Sequence, residues 1–390
     1  MACEQVTLQD VCELIVDCPH TSTKDEGVGY PLIRTPNVGR GRLILTDVHR
    51  VSQDVYERRV SRAVPRQGDL ILAREAPAGN VAIVPPGIEV CLGQRTMLLR
   101  PDSSFVVPEY LNYYLNAPEQ RDRMLRLANG ATVSHINVAD IRNMPVQLPS
   151  RGEQSKVAEL LNVLDDKIDL NNRLNDYLEQ LVDGKFQELF GGLNFNATLS
   201  DVAEITMGQS PAGSSYNEEG AGIIFYQGRG EFGWRFPKRR LYTTEPKRLA
   251  CEGDVLMSVR APVGDLNVAF ENCCIGRGLA AIHSETPSFA LYLMRFLKPQ
   301  LEAYNGEGTV FGSINGKALK SLEVALPSHN EVMQFESFAA PIDALIRSNE
   351  NETRKLNNLR NYLLPKLMSG TIDVSKVDLT QLTNNHLADC

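Results

Sequence analysis

Residues 130–192 of this 390-residue chain recur at 308–370, at a constant offset of 178 and without a gap. Fifteen of those 63 positions are identical, among them Ile136-Asn137, Leu148-Pro149-Ser150, Glu153, Asp165, Ile168, Asn171 and Gly192. Chance at ordinary composition gives roughly four. The repeat extends upstream but slips there. Thr7-Leu8 matches Thr198-Leu199 at offset 191, Gly68-Asp69 and Ala76-Pro77 match Gly253-Asp254 and Ala261-Pro262 at offset 185, and Gly93 matches Gly276 at 183. The chain must therefore be built from two copies of one unit, with a front of variable length and a back of fixed length.

Each back half predicts one long helix. Apolar residues recur at alternating spacings of three and four through Phe335, Phe338, Ile342, Leu345, Asn349, Glu352, Leu356, Leu359 and Leu363. The first copy gives Val157, Leu160, Leu164, Lys167, Asn171, Leu174, Leu178 and Leu181. This is a heptad seam with a polar residue at the same place in both copies. Pro149 and Pro327 precede the starts; Gly191-Gly192 and Ser369-Gly370 mark the stops, where a left-handed cap favours glycine. A helix of ~38 residues is ~57 Å long, longer than the face of one small domain, so the seam predicts that the two helices pair. If a two-fold axis relates the copies, the helices run antiparallel. Asn171 and Asn349 then meet across the axis and fix the register.

The fronts have a different texture. Short β-type runs (42–45, 69–72, 81–84, 97–99 and 254–257) are punctuated by Gly, Pro and Asn, and helical stretches follow at 108–127 and 289–301. The expected fold is α+β: two pseudo-two-fold-related domains with curved, largely antiparallel sheets, separated and joined by two long helices in an antiparallel coiled coil. The expected divisions are 1–150, 151–192, 193–328, 329–370 and a polar tail 371–390.

Composition excludes several classes. No apolar run approaches ~18 residues, so no membrane span is expected, and the first ten residues carry no signal-peptide pattern. The eight cysteines contain no C-x-x-C pair and suggest reduced thiols in a cytoplasmic protein. No Walker loop is present. Gly228–Gly233 matches G-x-G-x-x-G but no helix is expected after it, and no Asn/Asp-Pro-Pro-aromatic methyltransferase tetrad occurs. The six histidines show no metal-ligand spacing. The expectation is a binding protein with no catalytic residues, no metal and no cofactor of its own.

Charge is informative once it is divided. The net charge is −8, yet the fronts carry 16 basic against 17 acidic groups (1–150) and 13 against 14 (193–328). The acid excess lies mainly on the helical segments, at 5 against 9 and 6 against 8. Basic groups cluster locally at Arg34, Arg40 and Arg42, and more densely from Arg229 to Arg248 among Phe232, Trp234, Phe236 and Tyr242. Local clusters, more than net charge, set the field a phosphate backbone feels.

The run Leu148-Pro149-Ser150-Arg151-Gly152-Glu153-Gln154, leading through Val157, Leu160-Leu161, Asp165-Asp166 and Ile168 to Leu189-Phe190-Gly191, resembles the boundary and helix of specificity subunits of type I restriction–modification systems. The stretch from Leu326-Pro327-Ser328 to Leu367-Met368-Ser369-Gly370 repeats it, with Val332 where Gln154 stands. The resemblance covers nearly the whole chain in the order domain, helix, domain, helix. It implies two target-recognition domains that each read half of a bipartite, asymmetric double-stranded DNA site. It also implies helices that set the spacing and dock two methyltransferase subunits and, through them, a restriction subunit. S-adenosylmethionine, ATP and Mg would belong to those partners.

Arg and Lys suit guanine and phosphate, Asn and Gln suit adenine. The candidate DNA contacts are therefore Lys24, Arg34, Asn37, Arg40, Arg42, Arg74 and Arg95 in the first front, and Gln209, Tyr216, Arg229, Arg235, Lys238, Arg239, Arg260 and Arg277 in the second. Thr132, Ser134 and His135, with Thr309 and Ser313, lie in equivalent Gly/Ser/Thr-rich loops suited to phosphate. Two other classes stay open: a symmetric protein–protein scaffold without DNA specificity, and an enzyme whose site is not motif-like.

Overall fold

The computed structural model describes residues 4–128, 135–306 and 312–374. Two helices of 40 residues each, Arg151–Phe190 and His329–Met368, stand where the seam predicts them. Both begin with the same reciprocal cap. Glu153 accepts from the Ser150 backbone (3.0 Å) and hydroxyl (2.8 Å), and Glu331 accepts from Ser328 in the same way (2.8 and 2.7 Å). This satisfies donors that the first helical turn leaves without partners. One end is as expected and the other is not. Gly370 takes φ +70° and forms the left-handed cap. Gly191 instead continues the helical ladder, donating to Gln187 O at 2.9 Å, and a Cβ there would lie 2.6 Å from that oxygen.

The chain divides into two compact units, 1–169 with 353–390, and 170–352. The four sequence segments thus regroup: each unit is one front plus half of each long helix. In the first unit, a five-stranded sheet runs in the order Cys12–Asp17, Thr96–Pro101, Leu70–Ala73, Val81–Ile83, Gly41–Arg42, antiparallel except for its last pair. In the second, the antiparallel order is Glu204–Met207, Leu279–His283, Val255–Ser258, Leu266–Val268. Corresponding residues pair in the two sheets, with Leu70 opposite Leu99 and Val255 opposite Ile282. A short antiparallel ribbon in each unit joins the start of the front to the strand before the long helix, Glu4–Thr7 with Pro145–Leu148, and Ala197–Thr198 with Glu323–Val324.

Each sheet buries one face against the helices of its front and against the long helices. The first unit's core holds Leu70, Leu72, Tyr110, Leu111 and Tyr114 together with Val157, Leu160, Leu161 and Leu367. The second holds Val255, Met257, Phe289 and Tyr292 with Val182, Phe186, Phe190 and Phe335.

In the second unit the long helices lie antiparallel, with Asn171 beside Glu352 and Asn175 beside Asn349. The register differs from the expected one. Asn349 donates to Asn175 Oδ1 at 2.8 Å, and Asn171 donates to Glu352 at 2.7 Å. The partner opposite Asn349 is thus one helical turn along from Asn171. The seam is also less apolar than expected, since Leu174, Leu181, Leu345 and Leu359 remain exposed. In the second unit the large side chains of both helices enter one aromatic core that they share with the domain. Phe186 packs 5.7 Å from Phe289 and 5.4 Å from Phe335, ring centre to ring centre. Burying such rings removes more apolar surface from water than a leucine seam does, so the aromatic core shared by the two helices and the domain sets the rotation of the helices.

Candidate nucleic-acid interface

The candidate residues separate into those the fold consumes and those it offers outward. Arg235 is the clearest correction. It is 3% exposed, donates to Asp343 (2.9 Å) and Tyr292 (2.8 Å), and so anchors the second front to the distal helix. A buried guanidinium between a carboxylate and a phenol is a structural clamp and cannot enter a groove. Arg42 is tied to Asp166 (2.6 Å) and Asp169 of the central helix. Asn37 is buried, donates to Ile44 O (3.1 Å) and accepts from the Arg34 amide (3.2 Å), so its side chain shapes its own loop. The Nε of Arg34 is buried without a hydrogen-bond partner among the described residues. Arg74 spans Asp17 (2.7 Å) and Ile136 O (2.9 Å). Tyr216 donates to Pro211 O at 3.1 Å and packs on Phe225.

Lys24, Arg40, Gln209, Lys238, Arg260 and Arg277 are exposed, and the five cations among them have no ion-pair partner among the described residues. Arg95, Arg229 and Arg239 are half-exposed in ion pairs with Glu75 (2.9 Å), Asp265 (2.8 Å) and Glu271 (2.6 Å). Exposed pairs of this kind contribute about 0–1 kcal/mol, so a phosphate can displace the carboxylate at little cost. Thr132, Ser134 and Thr309 lie outside the described residues.

Part of the outward set, Gln209, Arg260 and Arg277 in the second unit and Arg95 in the first, lies at one end of neighbouring strands, an edge of the candidate recognition face. In the second unit, Arg260 follows the strand Val255–Ser258 and Arg277 precedes the neighbouring strand Leu279–His283. Arg260 forms a β-bridge with Ser313, the Arg277 amide donates to Ser210 Oγ (3.3 Å), and the Gln209 amide donates to Ile275 O (3.0 Å). The first unit repeats part of this construction. Glu75 bridges His135 as Arg260 bridges Ser313, and the Arg74 amide donates to Arg95 O (2.8 Å) as the Val259 amide does to Gly278 O (3.0 Å), whereas Gln94 makes a side-chain contact, Nε2 to His20 O (2.9 Å). Both edges carry a cis Ala-Pro bond, Ala76-Pro77 and Ala261-Pro262. The repeat therefore conserves the scaffold of this edge and varies its side chains, with Glu75 against Arg260 and Gln94 against Arg277. Gln94 and His20 lie at this edge without having been singled out in the sequence; the alignment of Gly93 with Gly276 pointed towards Gln94, and nothing marked His20.

The edge offers hydrogen-bonding and cationic groups, the side-chain chemistry that suits contact with bases and phosphates.

The profile of the family described as the type I restriction modification DNA specificity domain matches residues 2–180 and 196–361. The MjaX type I restriction enzyme specificity subunit of Methanocaldococcus jannaschii is 31% identical over 396 residues, spanning 94% of this chain and 93% of that protein. The MjaIX specificity subunit of the same organism is 22% identical over 374 residues, 85% of this chain and 84% of its own. Among solved structures, the S subunit of the type I restriction–modification system from M. genitalium has a TM-score of 0.62 at 16% identity, covering 94% of this chain and 96% of that one, a likeness of fold alone.

Proposed function

Because this chain belongs to the type I restriction–modification DNA specificity family, we propose that each of its two units reads one half of a bipartite, asymmetric double-stranded DNA target. It is the specificity subunit, a non-catalytic member of its system, with two DNA specificity domains. The observation that carries the finer reading is the pair of strand ends found twice, alike in their β-bridge, cis Ala-Pro bond and one backbone hydrogen bond and different in the side chains they offer. Two copies of one scaffold with unlike contact residues are what an asymmetric target requires, whereas a palindrome is served by identical readers. The long helices, of fixed length in both copies, set the gap between half-sites.

The helices also have the surface that partner docking needs. Leu170, Tyr177 and Leu181 of the central helix are more than half exposed, and Leu345, Leu359 and Tyr362 of the distal helix are similarly open. Apolar residues grouped on a helical surface mark association sites. Two methyltransferase subunits are the proposed occupants, bringing S-adenosylmethionine for adenine methylation. A restriction subunit with ATP and Mg joins through them, and the assembly works in the cytoplasm.

The test is to combine the chain with its encoded methyltransferase partner, supply S-adenosylmethionine, and map the methylated bases. Methylation at a two-part motif with a constant gap is expected. A contiguous palindrome would overturn the two-reader assignment, and methylation without sequence preference would favour a scaffold role.

A further inference from the structure

Cys251, Asp254 and His283 bring a thiol, a carboxylate and an imidazole within 4.8 Å of one another at the surface of the second unit. Cys251 and Asp254 belong to the turn before the strand Val255–Ser258, and His283 ends the strand Leu279–His283 beside it. Asp254 is 5% exposed and held in place: its Oδ2 accepts the Cys251 amide at 2.7 Å, and its Oδ1 meets His283 Nδ1 at 2.6 Å. Cys251 and His283 are exposed and can rotate.

The first unit shows what this position does without the thiol. There the turn carboxylate is Asp69, which accepts the Arg66 amide (2.9 Å) and is gripped in two-pronged fashion by Arg100 Nε (2.9 Å) and Nη2 (2.7 Å). Arg66, Asp69 and Arg100 occupy the places of Cys251, Asp254 and His283. The second unit thus keeps the buried carboxylate and loses both arginines. The permanent positive charge that balances Asp69 is absent at Asp254, and a soft sulfur ligand and a nitrogen ligand stand in its place.

We propose that Cys251, Asp254 and His283 form a binding site for a borderline-soft divalent transition-metal ion such as Zn2+, with its fourth position open to water. Sulfur, nitrogen and carboxylate ligands together fit zinc better than Mg or Ca, which favour all-oxygen sets. Ligands about 2.0–2.3 Å from one zinc ion lie at most roughly 4.5 Å apart, so rotation of the two exposed side chains closes the set. On binding, the Cys251 thiol releases its proton to solvent, and the ion supplies the charge that Arg100 supplies in the first unit. The ion would pin the turn to the end of the neighbouring strand. Arg260 and Arg277 lie at the other ends of these two strands, so the site acts on the stability of the second unit and not as a DNA contact.

Cobalt(II) is the probe: the full chain, stripped with chelator, is titrated with Co2+ and followed by thiolate-to-cobalt absorption, then by displacement with Zn2+. One equivalent is expected to give the charge-transfer band, and Cys251→Ser to abolish it. His283→Arg rebuilds the first unit's ion pair; it should fold, bind cobalt at least about tenfold more weakly, and lose the rise in Tm that Zn2+ gives the wild type. No charge-transfer band, a band unchanged in Cys251→Ser, or equal cobalt affinity in a folded His283→Arg each overturns the proposal.

Discussion

Tyr113 donates its hydroxyl to Asp165 at 2.7 Å, joining the first recognition domain to the central helix, and Tyr292 meets Asp343 at 3.1 Å in the corresponding place of the second unit. Asp165 and Asp343 are one of the identical pairs of the repeat. Burial, reinforced by the neighbouring carboxylate, pushes the hydroxyls of both tyrosines well above the ordinary phenol range, so each stays a donor at any working pH. The cation that completes the contact differs: Arg360 of the distal helix serves Asp165 (2.6 Å), and Arg235 of the second front serves Asp343. The duplication has kept the tyrosine–carboxylate clamp and replaced its third member.

Tyr113→Phe is expected to destabilise the first unit by about 1.5–3 kcal/mol, the range for a hydrogen bond to a charged group. Tyr292→Phe should cost less, because its contact is longer and Arg235 still holds Asp343. Urea unfolding of the full chain, followed by probes placed in each unit, separates the two effects. Equal and negligible shifts in both variants would show that the clamp contributes nothing.

The buried amides of Asn171, Asn175 and Asn349 form a polar layer between the long helices of the second unit. Asn349→Leu leaves Asn175 Oδ1 without its donor and should cost about 1–3 kcal/mol. Replacing Asn175 and Asn349 together by Leu should recover most of that loss, because Asn175 Oδ1 is no longer left without its donor and only the long Asn175–Glu350 contact (3.4 Å) is given up, while the register relaxes. A double-mutant cycle measures the coupling. Additive costs would mean that the two amides do not act as a pair.

Much of this architecture was legible from the duplication. A constant offset through 130–192 located both long helices, and Pro149 and Pro327 marked their starts, where the structure adds the Ser150–Glu153 and Ser328–Glu331 caps. Their rotation was not legible. A heptad pattern records which residues are apolar, not which neighbour covers them, and Phe186 and Phe190 joined a core of Phe289 and Phe335 while Leu174 and Leu181 stayed exposed. Among the candidate contacts, Arg260 and Arg277 remained outward-facing, but Arg235 and Arg42 did not, because their carboxylate partners Asp343, Asp166 and Asp169 sit on helices more than a hundred residues away in sequence. Sequence proximity grouped Arg235 with the surface cations around it, and only the fold revealed its partners. The grouping of Cys251 with His283 was hidden for the same reason.

The distal helix cap carries a pH dependence of known sign. Hydrogen bonds from the Ser328 hydroxyl and amide hold the Glu331 carboxyl below its ordinary value of 4.5. A carboxyl depressed in the folded state contributes stability that is present above that ordinary value and disappears as pH falls through the folded one. The stability gap between wild type and Glu331→Gln should therefore be widest near neutrality and close on acidification. Unfolding midpoints of the two proteins, measured from neutral to acid pH, check this. A gap constant with pH would assign the effect of Glu331 to packing.

The proposed recognition edge makes the sharpest distinction among the arginines. Arg277→Ala and Arg260→Ala remove exposed cations with no ion-pair partner among the described residues, so folding should be unaffected. If the side chain meets a base, affinity for the specific site should fall by about 1–3 kcal/mol and discrimination at one position should relax. If it meets a phosphate, binding should weaken for all sequences and the salt dependence should lose about one counterion. Arg235→Ala should behave differently. It leaves Asp343 short of its cation beside a buried tyrosine, so the second unit loses stability before any DNA is added. Fluorescence anisotropy across a salt series, paired with thermal unfolding of each variant, distinguishes the three outcomes. Retention of full affinity in both Arg260→Ala and Arg277→Ala would move the DNA interface away from this edge.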